Sequence, residues 1–345
     1  MKAALVREHG GPEVLRIEDV PTPEPGPGEV LVRVRAAAIN HLDLWVRRGI
    51  PGAAFHLPNV GGGDVSGDIA ALGAGVPIAG GLDVGAPVMV IPTLSCGVCE
   101  RCLSGADPLC RSFGVLGETT WGGLAEYVVV PRANVVAKPE SLTYEDAAAV
   151  SLTFLTAWHM LIGRAQLRHG ETVLVQAAGS GVSTAAIQIA KHFGATVITT
   201  ASHPRKLAAA KDLGADHVIN YKEQDFAGQV RNLTGKKGVD VVIEHVGGET
   251  FEKSARCLGW GGRLVTCGAT TGAKAHVNLR HLFFKGQSLL GSTMGSKAEY
   301  HALVKLFAAE KLRAVIDRVL PLSDIADAHR ALENREVFGK VVLTP

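Results

Sequence analysis

Between residues 172 and 293 the chain sets six short apolar runs, rich in β-branched residues, with helical segments between them. The apolar runs fall at 172–176, 196–200, 217–220, 239–244, 263–267 and 289–293. A helix between two strands carries the chain back to the edge it started from, so such strands lie parallel and the helices cover both faces. The fold class expected is therefore α/β, with a doubly wound parallel sheet.

Before residue 150 the texture changes. Val30-Leu31-Val32-Arg33-Val34-Arg35 sets valines on one face and arginines on the other, between Gly- and Pro-rich turns, as strands of an all-β barrel do. The Pro-rich stretch 21–28 reads as a spacer loop. After residue 295 the pattern is mixed, with a helix expected over 298–310 and a final strand over 340–343 that return the chain to the first domain. A chain of 345 residues exceeds what one core usually supports. The expected division is 1–150, 151–295 and a return segment 296–345.

Charge excludes some partners. The 35 basic and 33 acidic residues leave a formal charge of +2, which gives no nucleic-acid footprint. The start Met1-Lys2-Ala3-Ala4-Leu5 lacks the apolar run of a signal peptide, and no segment approaches about 18 uninterrupted apolar residues. A cytoplasmic protein without a membrane partner is expected.

Four of the 6 cysteines are concentrated in one loop: Cys96, Cys99, Cys102 and Cys110. Cys-x-x-Cys turns aim sulfurs inward in pairs, and four thiolates complete a tetrahedral zinc site with no place left for water or substrate. The expected role is a structural Zn2+, in a lobe at about 92–115. The alternative, a set of buried or redox-active thiols, fits less well with Pro92, Gly97, Gly105 and Pro108, which mark the stretch as loop. Cys257 and Cys267 read as ordinary thiols in a reducing compartment.

The first apolar run of the second half enters Ala177-Ala178-Gly179-Ser180-Gly181-Val182-Ser183-Thr184, and a helical run follows at 185–193. A tight turn of small residues there would let a pyrophosphate approach the backbone at a helix N-terminus. With only Gly179 and Gly181 as glycines, a plain tight connection is the competing interpretation. The second run ends Thr199-Thr200-Ala201-Ser202-His203-Pro204-Arg205-Lys206, without the acid that usually holds both ribose hydroxyls of NAD. Ser202, Arg205 and Lys206 suit the 2′-phosphate of NADP(H), although the two cations could simply solvate a helix start.

The cysteine lobe, Gly122-Gly123-Leu124-Ala125-Glu126-Tyr127, Thr156-Ala157-Trp158 and the run from Gly214-Ala215-Asp216 to Asn220-Tyr221 together resemble the medium-chain dehydrogenase/reductase superfamily, across essentially the whole chain. The resemblance implies a GroES-like barrel for substrate, a Rossmann domain for NAD(P), and dimers or tetramers. Alcohol dehydrogenases of that superfamily hold a second, catalytic zinc. Here the matching positions are Asn40, Gly63 of Gly62-Gly63-Asp64, and Leu152, so all three ligands are absent. His41, Asp43, His56 and Asp64 offer the material for an improvised site, with hydrogen bonding as their commoner use.

In its active site the chain is similar to the zinc-free quinone oxidoreductases. Lys206, Tyr221 and Arg335 match residues which that branch places around the adenosine 2′-phosphate. Ser183 replaces a family glycine in the phosphate turn, and Trp45 stands where quinone reductases often carry a tyrosine. The nicotinamide is expected near the ends of the strands carrying His245-Val246 and Cys267-Gly268, with Thr156 a weaker candidate for a cofactor contact. Asn40 is the expected hydrogen-bond donor to the developing oxyanion, and Asp43 either joins it or holds a backbone amide.

The activity expected is NADPH-dependent hydride transfer to a quinone or an α,β-unsaturated carbonyl. An alcohol dehydrogenase with a non-standard metal site, or a redox-sensing dinucleotide-binding protein without turnover, are the alternatives. The run 289–293 closes the sheet with no later strand to cover it, so pairing of two copies along that edge is expected.

Overall fold

The computed structural model describes residues 1–50, 52, 54–77 and 80–345. The chain divides into two compact units, Met1–Leu152 with Ser296–Pro345, and Thr153–Gly295. The first division falls inside the helix Tyr144–Trp158.

In the first unit the strand Glu29–Ala38 is central. It pairs antiparallel with Asp64–Leu72, with Tyr127–Pro131 and with Lys340–Thr344, and Lys340–Thr344 pairs in parallel with Ile316–Pro321. The alternation in its sequence is used as the period-2 rule requires. Val30, Val32 and Val34 are buried in a core with Leu5, Ile69, Val88 and Val130, while Arg33 and Arg35 face out. Two register shifts against Asp64–Leu72 bend the strand, as barrel closure needs. The return segment is richer than its sequence suggested. Besides the helix Lys297–Ala308 and the last strand, it holds the strand Ile316–Pro321 and the helix Ile325–Glu333.

The second unit is a six-stranded sheet. Its order is His217–Asn220, Thr196–Ala201, Thr172–Val175, Val239–Glu244, Leu258–Thr266, Ser288–Gly291, parallel throughout. Register aligns Ile198, Leu174, Val242, Leu264 and Leu289 in one row across the sheet, packed on Phe226, Val230 and Leu258. Each fully buried aliphatic of such a row contributes about 2 kcal/mol. The strand order reverses between Thr172–Val175 and Val239–Glu244, the point at which doubly wound sheets open a crevice at their carboxyl ends.

Some expected boundaries move. The run 263–267 is the end of a strand that begins at Leu258, because Gly259, Gly261 and Gly262 hid its start. Cys267 lies just past that strand, and the run 289–293 is a strand only over Ser288–Gly291. The helix expected at 185–193 begins at Gly181. The helix continuing through Arg164 is long and apolar enough to cross a membrane by composition, but 72% of its apolar window is buried inside the protein. Scattered polar residues had concealed that length from a search for an uninterrupted apolar run.

Candidate functional site

The cysteine lobe is built by turns. Cys96 follows the strand Thr93–Leu94, Cys99 precedes the short helix Glu100–Leu103 that carries Cys102, and Cys110 follows the turn Asp107–Leu109. Gly97 and Gly105 take φ of 73° and 77°, which L side chains rarely adopt. The four sulfurs lie within 4.8 Å of one another. Four of the separations are 3.5, 3.6, 3.8 and 3.9 Å. A tetrahedron with zinc–sulfur bonds of 2.3 Å has edges of about 3.8 Å, so the donor set fits one zinc ion without rearrangement. The backbone N–H groups of Val98 and Cys99 pull the Cys96 thiol down to about 6, toward the thiolate that a metal requires. Lys297 ties the lobe to the helix it begins, through Ser95 Oγ at 2.9 Å and Asp107 Oδ2 at 3.2 Å from its backbone nitrogen. None of the six cysteines is in a disulfide, and burial pushes Cys257 and Cys267 up to about 12, which makes both inert.

The positions matching the absent catalytic-zinc ligands converge in the barrel unit. Asn40 follows the central strand, Asp64 opens its partner strand opposite Ala38, and Val342 also faces Ala38. Continuing that register by two residues sets Lys340 opposite Asn40. Lys340 Nζ donates to Asn40 Oδ1 at 2.5 Å, to Asp64 Oδ2 at 2.7 Å and to Ile39 O at 2.8 Å. Asn40 Nδ2 donates to the same Asp64 oxygen at 2.9 Å, and Asp64 Oδ1 accepts from Leu152 N at 2.5 Å.

Gly63 is equally enclosed, because a Cβ there would stand 2.9 Å from Leu116 O and 3.6 Å from Leu152 Cδ1. The donor set offers an amide, a hydrogen and an isobutyl group where three metal donors would be needed, and Lys340 already balances the carboxylate. Among the described residues, the four cysteines alone form a cluster of metal-ligating groups. The improvised site of His41, Asp43, His56 and Asp64 is therefore not assembled. His56 is exposed, and burial and Lys340 hold the half-buried His41 below the usual imidazole range.

Asp43 accepts from Asn40 N and from Gly62 N, each at 2.7 Å. Burial raises its pKa, partly offset by those two amides. Of the two roles open from the sequence, these bonds describe the holder of backbone amides. Asn40 likewise proves less free than expected, since one side of its amide is taken by Lys340 and one N–H by Asp64.

The turn 177–182 sits at the crevice. No side chain caps the helix Gly181–His192 at Ser180, so Gly179, Ser180, Gly181 and Val182 present a helix start of the kind that receives a phosphate. Ser183 fits in place of glycine because its hydroxyl donates to Gln176 O at 2.6 Å. His245 Nε2 lies 2.9 Å from the same hydroxyl oxygen. With the hydroxyl proton committed to Gln176, His245 must donate through Nε2, which fixes its tautomer across the crevice.

His245-Val246 and Cys267-Gly268 meet at the ends of the fourth and fifth strands, where a Cβ on Gly268 would stand 3.2 Å from His245 O. Glu244, unnoticed in the sequence, is fully buried beneath them and accepts from Val246 N at 3.1 Å and Gly247 N at 3.1 and 3.2 Å. Burial pushes its carboxyl up to about 7. At the second strand's end Tyr221 N donates to Ala201 O at 3.2 Å, which sets Tyr221 beside Ser202, with Lys206 in the first turn of the helix Pro204–Asp212. Thr156 Oγ1 contacts Met294 Sδ at 3.5 Å. Arg335 belongs to the barrel unit and takes φ of 57° beyond the helix Ile325–Glu333.

Comparison with known proteins agrees with this architecture. Residues 26–140 match the alcohol dehydrogenase GroES-like domain and residues 181–309 the zinc-binding dehydrogenase domain. The chain is 32% identical to an NAD-dependent alcohol dehydrogenase of Sulfolobus acidocaldarius, over 99% of each chain. It is 30% identical to the human quinone oxidoreductase, over 99% of this chain and 97% of that one. A crystal structure of an NAD-dependent alcohol dehydrogenase superposes with a TM-score of 0.96 at 50% identity, covering 100% of both chains. The chain belongs to the medium-chain dehydrogenase/reductase superfamily and is an NAD(P)-dependent oxidoreductase. A dinucleotide sensor without turnover is thereby set aside.

Proposed function

We propose that the enzyme uses NADPH to reduce a conjugated acceptor, a quinone or an α,β-unsaturated carbonyl, with zinc confined to the cysteine lobe. The observation that carries this reading is the Asn40–Asp64–Lys340 network, which takes up Asn40, one position matched to a catalytic-zinc ligand, and reaches Leu152, another, through its backbone nitrogen. Without a metal's Lewis acidity, a substrate whose oxyanion is delocalised is the easier target. Hydride adds to the β-carbon of an enone, the π electrons move to oxygen, and solvent returns a proton to the α-carbon. The dinucleotide-binding unit supplies the hydride donor, and Asn40 a hydrogen bond to the acceptor oxygen. Asp43 holds Asn40 in place through its backbone nitrogen.

Preference for NADPH is supported by Ser202, Lys206 and Tyr221 where an acid would favour NAD, and by Arg335 through the family match. Gly179 to Val182 would take the pyrophosphate, and His245, Val246, Cys267, Gly268 and Thr156 the nicotinamide side. The zinc, held by Cys96, Cys99, Cys102 and Cys110, stabilises the lobe. Six cysteines without a disulfide among them suit a reducing, cytoplasmic compartment.

The 50% identity to a structure of an NAD-dependent alcohol dehydrogenase favours a second reading, oxidation of alcohols with NAD. Nicotinamide turnover against quinones, enones, aldehydes, ketones and alcohols, with and without a chelator, separates the two. Chelator-resistant reduction of quinones or enones with NADPH is expected. Chelator-sensitive alcohol oxidation with NAD, or two zincs per chain by elemental analysis, would overturn the proposal.

A further inference from the structure

The network around Asn40 has one hydrogen left over. Asn40, Asp64 and Lys340 are 8%, 0% and 4% exposed. Lys340 directs three hydrogens at three acceptors, Ile39 O, Asn40 Oδ1 and Asp64 Oδ2. Asp64 accepts on both oxygens, from Leu152 N, Asn40 Nδ2 and Lys340 Nζ. The Asn40 Nδ2 group carries two hydrogens and gives one to Asp64. Its second N–H has no partner among the described residues, on the most exposed member of the three.

The two charges also fix which way the amide points. A flip of Asn40 would set its NH2 against the ammonium of Lys340 and its carbonyl oxygen against the carboxylate of Asp64, and both contacts are repulsive. In the observed orientation the cation withdraws density from Oδ1, and a polarised amide is a stronger N–H donor. We propose that Lys340 and Asp64 are positioning residues that fix and polarise the Asn40 amide, so that its remaining N–H serves as the oxyanion donor to the substrate oxygen. This inference rests on the role given to Asn40 in the proposed function. Asn40 lends a hydrogen bond and keeps its proton; NADPH supplies the electron pair with its hydride, and solvent supplies the proton.

The test combines Asn40→Ala with the charge-neutral double variant Asp64→Leu/Lys340→Met, which leaves no buried charge unpaired. Steady-state kinetics use cyclohexenone and benzoquinone, with NADPH deuterated at the transferred position. Asn40→Ala is expected to lower kcat by about 100-fold, as removal of an oxyanion donor does. The double variant is expected to lower kcat by about 10-fold or more, to raise the deuterium isotope effect, to leave the KM for NADPH within about twofold, and to cost little further when added to Asn40→Ala. A double variant as fast as the wild type, with Asn40→Ala slow, overturns the positioning role alone. An undiminished Asn40→Ala overturns the donor reading beneath it. Should the double variant not fold, Lys340→Arg retains the cation but misplaces its donors; an isotope effect and kcat identical to wild type would then refute the proposal.

Discussion

Glu244→Gln tests how a buried carboxyl beneath the turn His245-Val246-Gly247 couples the dinucleotide unit to pH. In the fold the Glu244 carboxyl is pushed up to about 7, by burial, against the opposing pull of the Val246 and Gly247 amides. In the unfolded chain a glutamate titrates at about 4.3. Below pH ~4 both states hold the proton, and the group is neutral toward stability. Between ~4.3 and ~7 only the folded state holds it, so each rising pH unit removes about 1.4 kcal/mol of stability. Above ~7 both states are ionised, and the loss levels off on the order of 3 kcal/mol.

Glutamine cannot titrate; its oxygen can keep both amides where Oε1 does, but its NH2 replaces Oε2 against the Gly247 N–H. It forfeits a hydrogen bond worth about 1–3 kcal/mol at every pH. The wild type is therefore expected to be the more stable protein at pH 5 and to lose that advantage by pH 8. Melting temperatures of the zinc-loaded proteins at pH 5, 6, 7 and 8 measure this, and their difference cancels all groups common to both. The difference is expected to change by roughly 4 °C across the series. A difference that stays constant would refute the argument, showing Glu244 ionised throughout.

Cys99→Ser removes one of four thiolates from a site of the kind that binds zinc with about 10–16 kcal/mol; elemental analysis is expected to show zinc lost and melting lowered, with kcat of the surviving folded enzyme little changed. Lys206→Ala is expected to raise the KM for NADPH by several-fold and leave that for NADH alone, an effect that weakens with salt; a tenfold wild-type preference for NADH would refute the 2′-phosphate assignment. The strand Ser288–Gly291 lies at the sheet edge near Leu279, Phe283, Phe284 and Trp260, which are 68%, 73%, 69% and 69% exposed. Pairing of two copies there is expected to give a sedimentation mass of two or four chains, and Phe284→Asp to shift it toward one; a wild-type monomer would show the edge to be covered otherwise.

The dinucleotide-binding sheet was legible because its strands are local events. Apolar runs such as Val239–Glu244 lie between helices, and burial on both faces leaves few polar residues to blur them. Boundaries blurred where glycine interrupts a strand, as at Gly259 to Gly262. The cysteine lobe was legible for a related reason, since all four ligands fall within one short loop and the spacing itself carries the geometry. The Glu244 cap was not. A glutamate ending an apolar strand reads as the surface end of that strand, and its depth is set by the turn that folds back over it.

Lys340 shows what such reading misses. The residue heads an apolar final strand, yet its partners Asp64 and Asn40 lie 276 and 300 residues away in sequence, and antiparallel register alone brings them together. Its presence follows from charge. Asp64 is fully buried, and a buried carboxylate needs a compensating cation. The ammonium of Lys340, 2.7 Å from Asp64 Oδ2, supplies it. Removing Lys340 alone would leave Asp64 uncompensated, at a cost of about 3–5 kcal/mol, whereas removing both charges together avoids that penalty. The buried carboxylate and the buried ammonium are thus two halves of one site, and the lysine is the half that sequence spacing does not reveal.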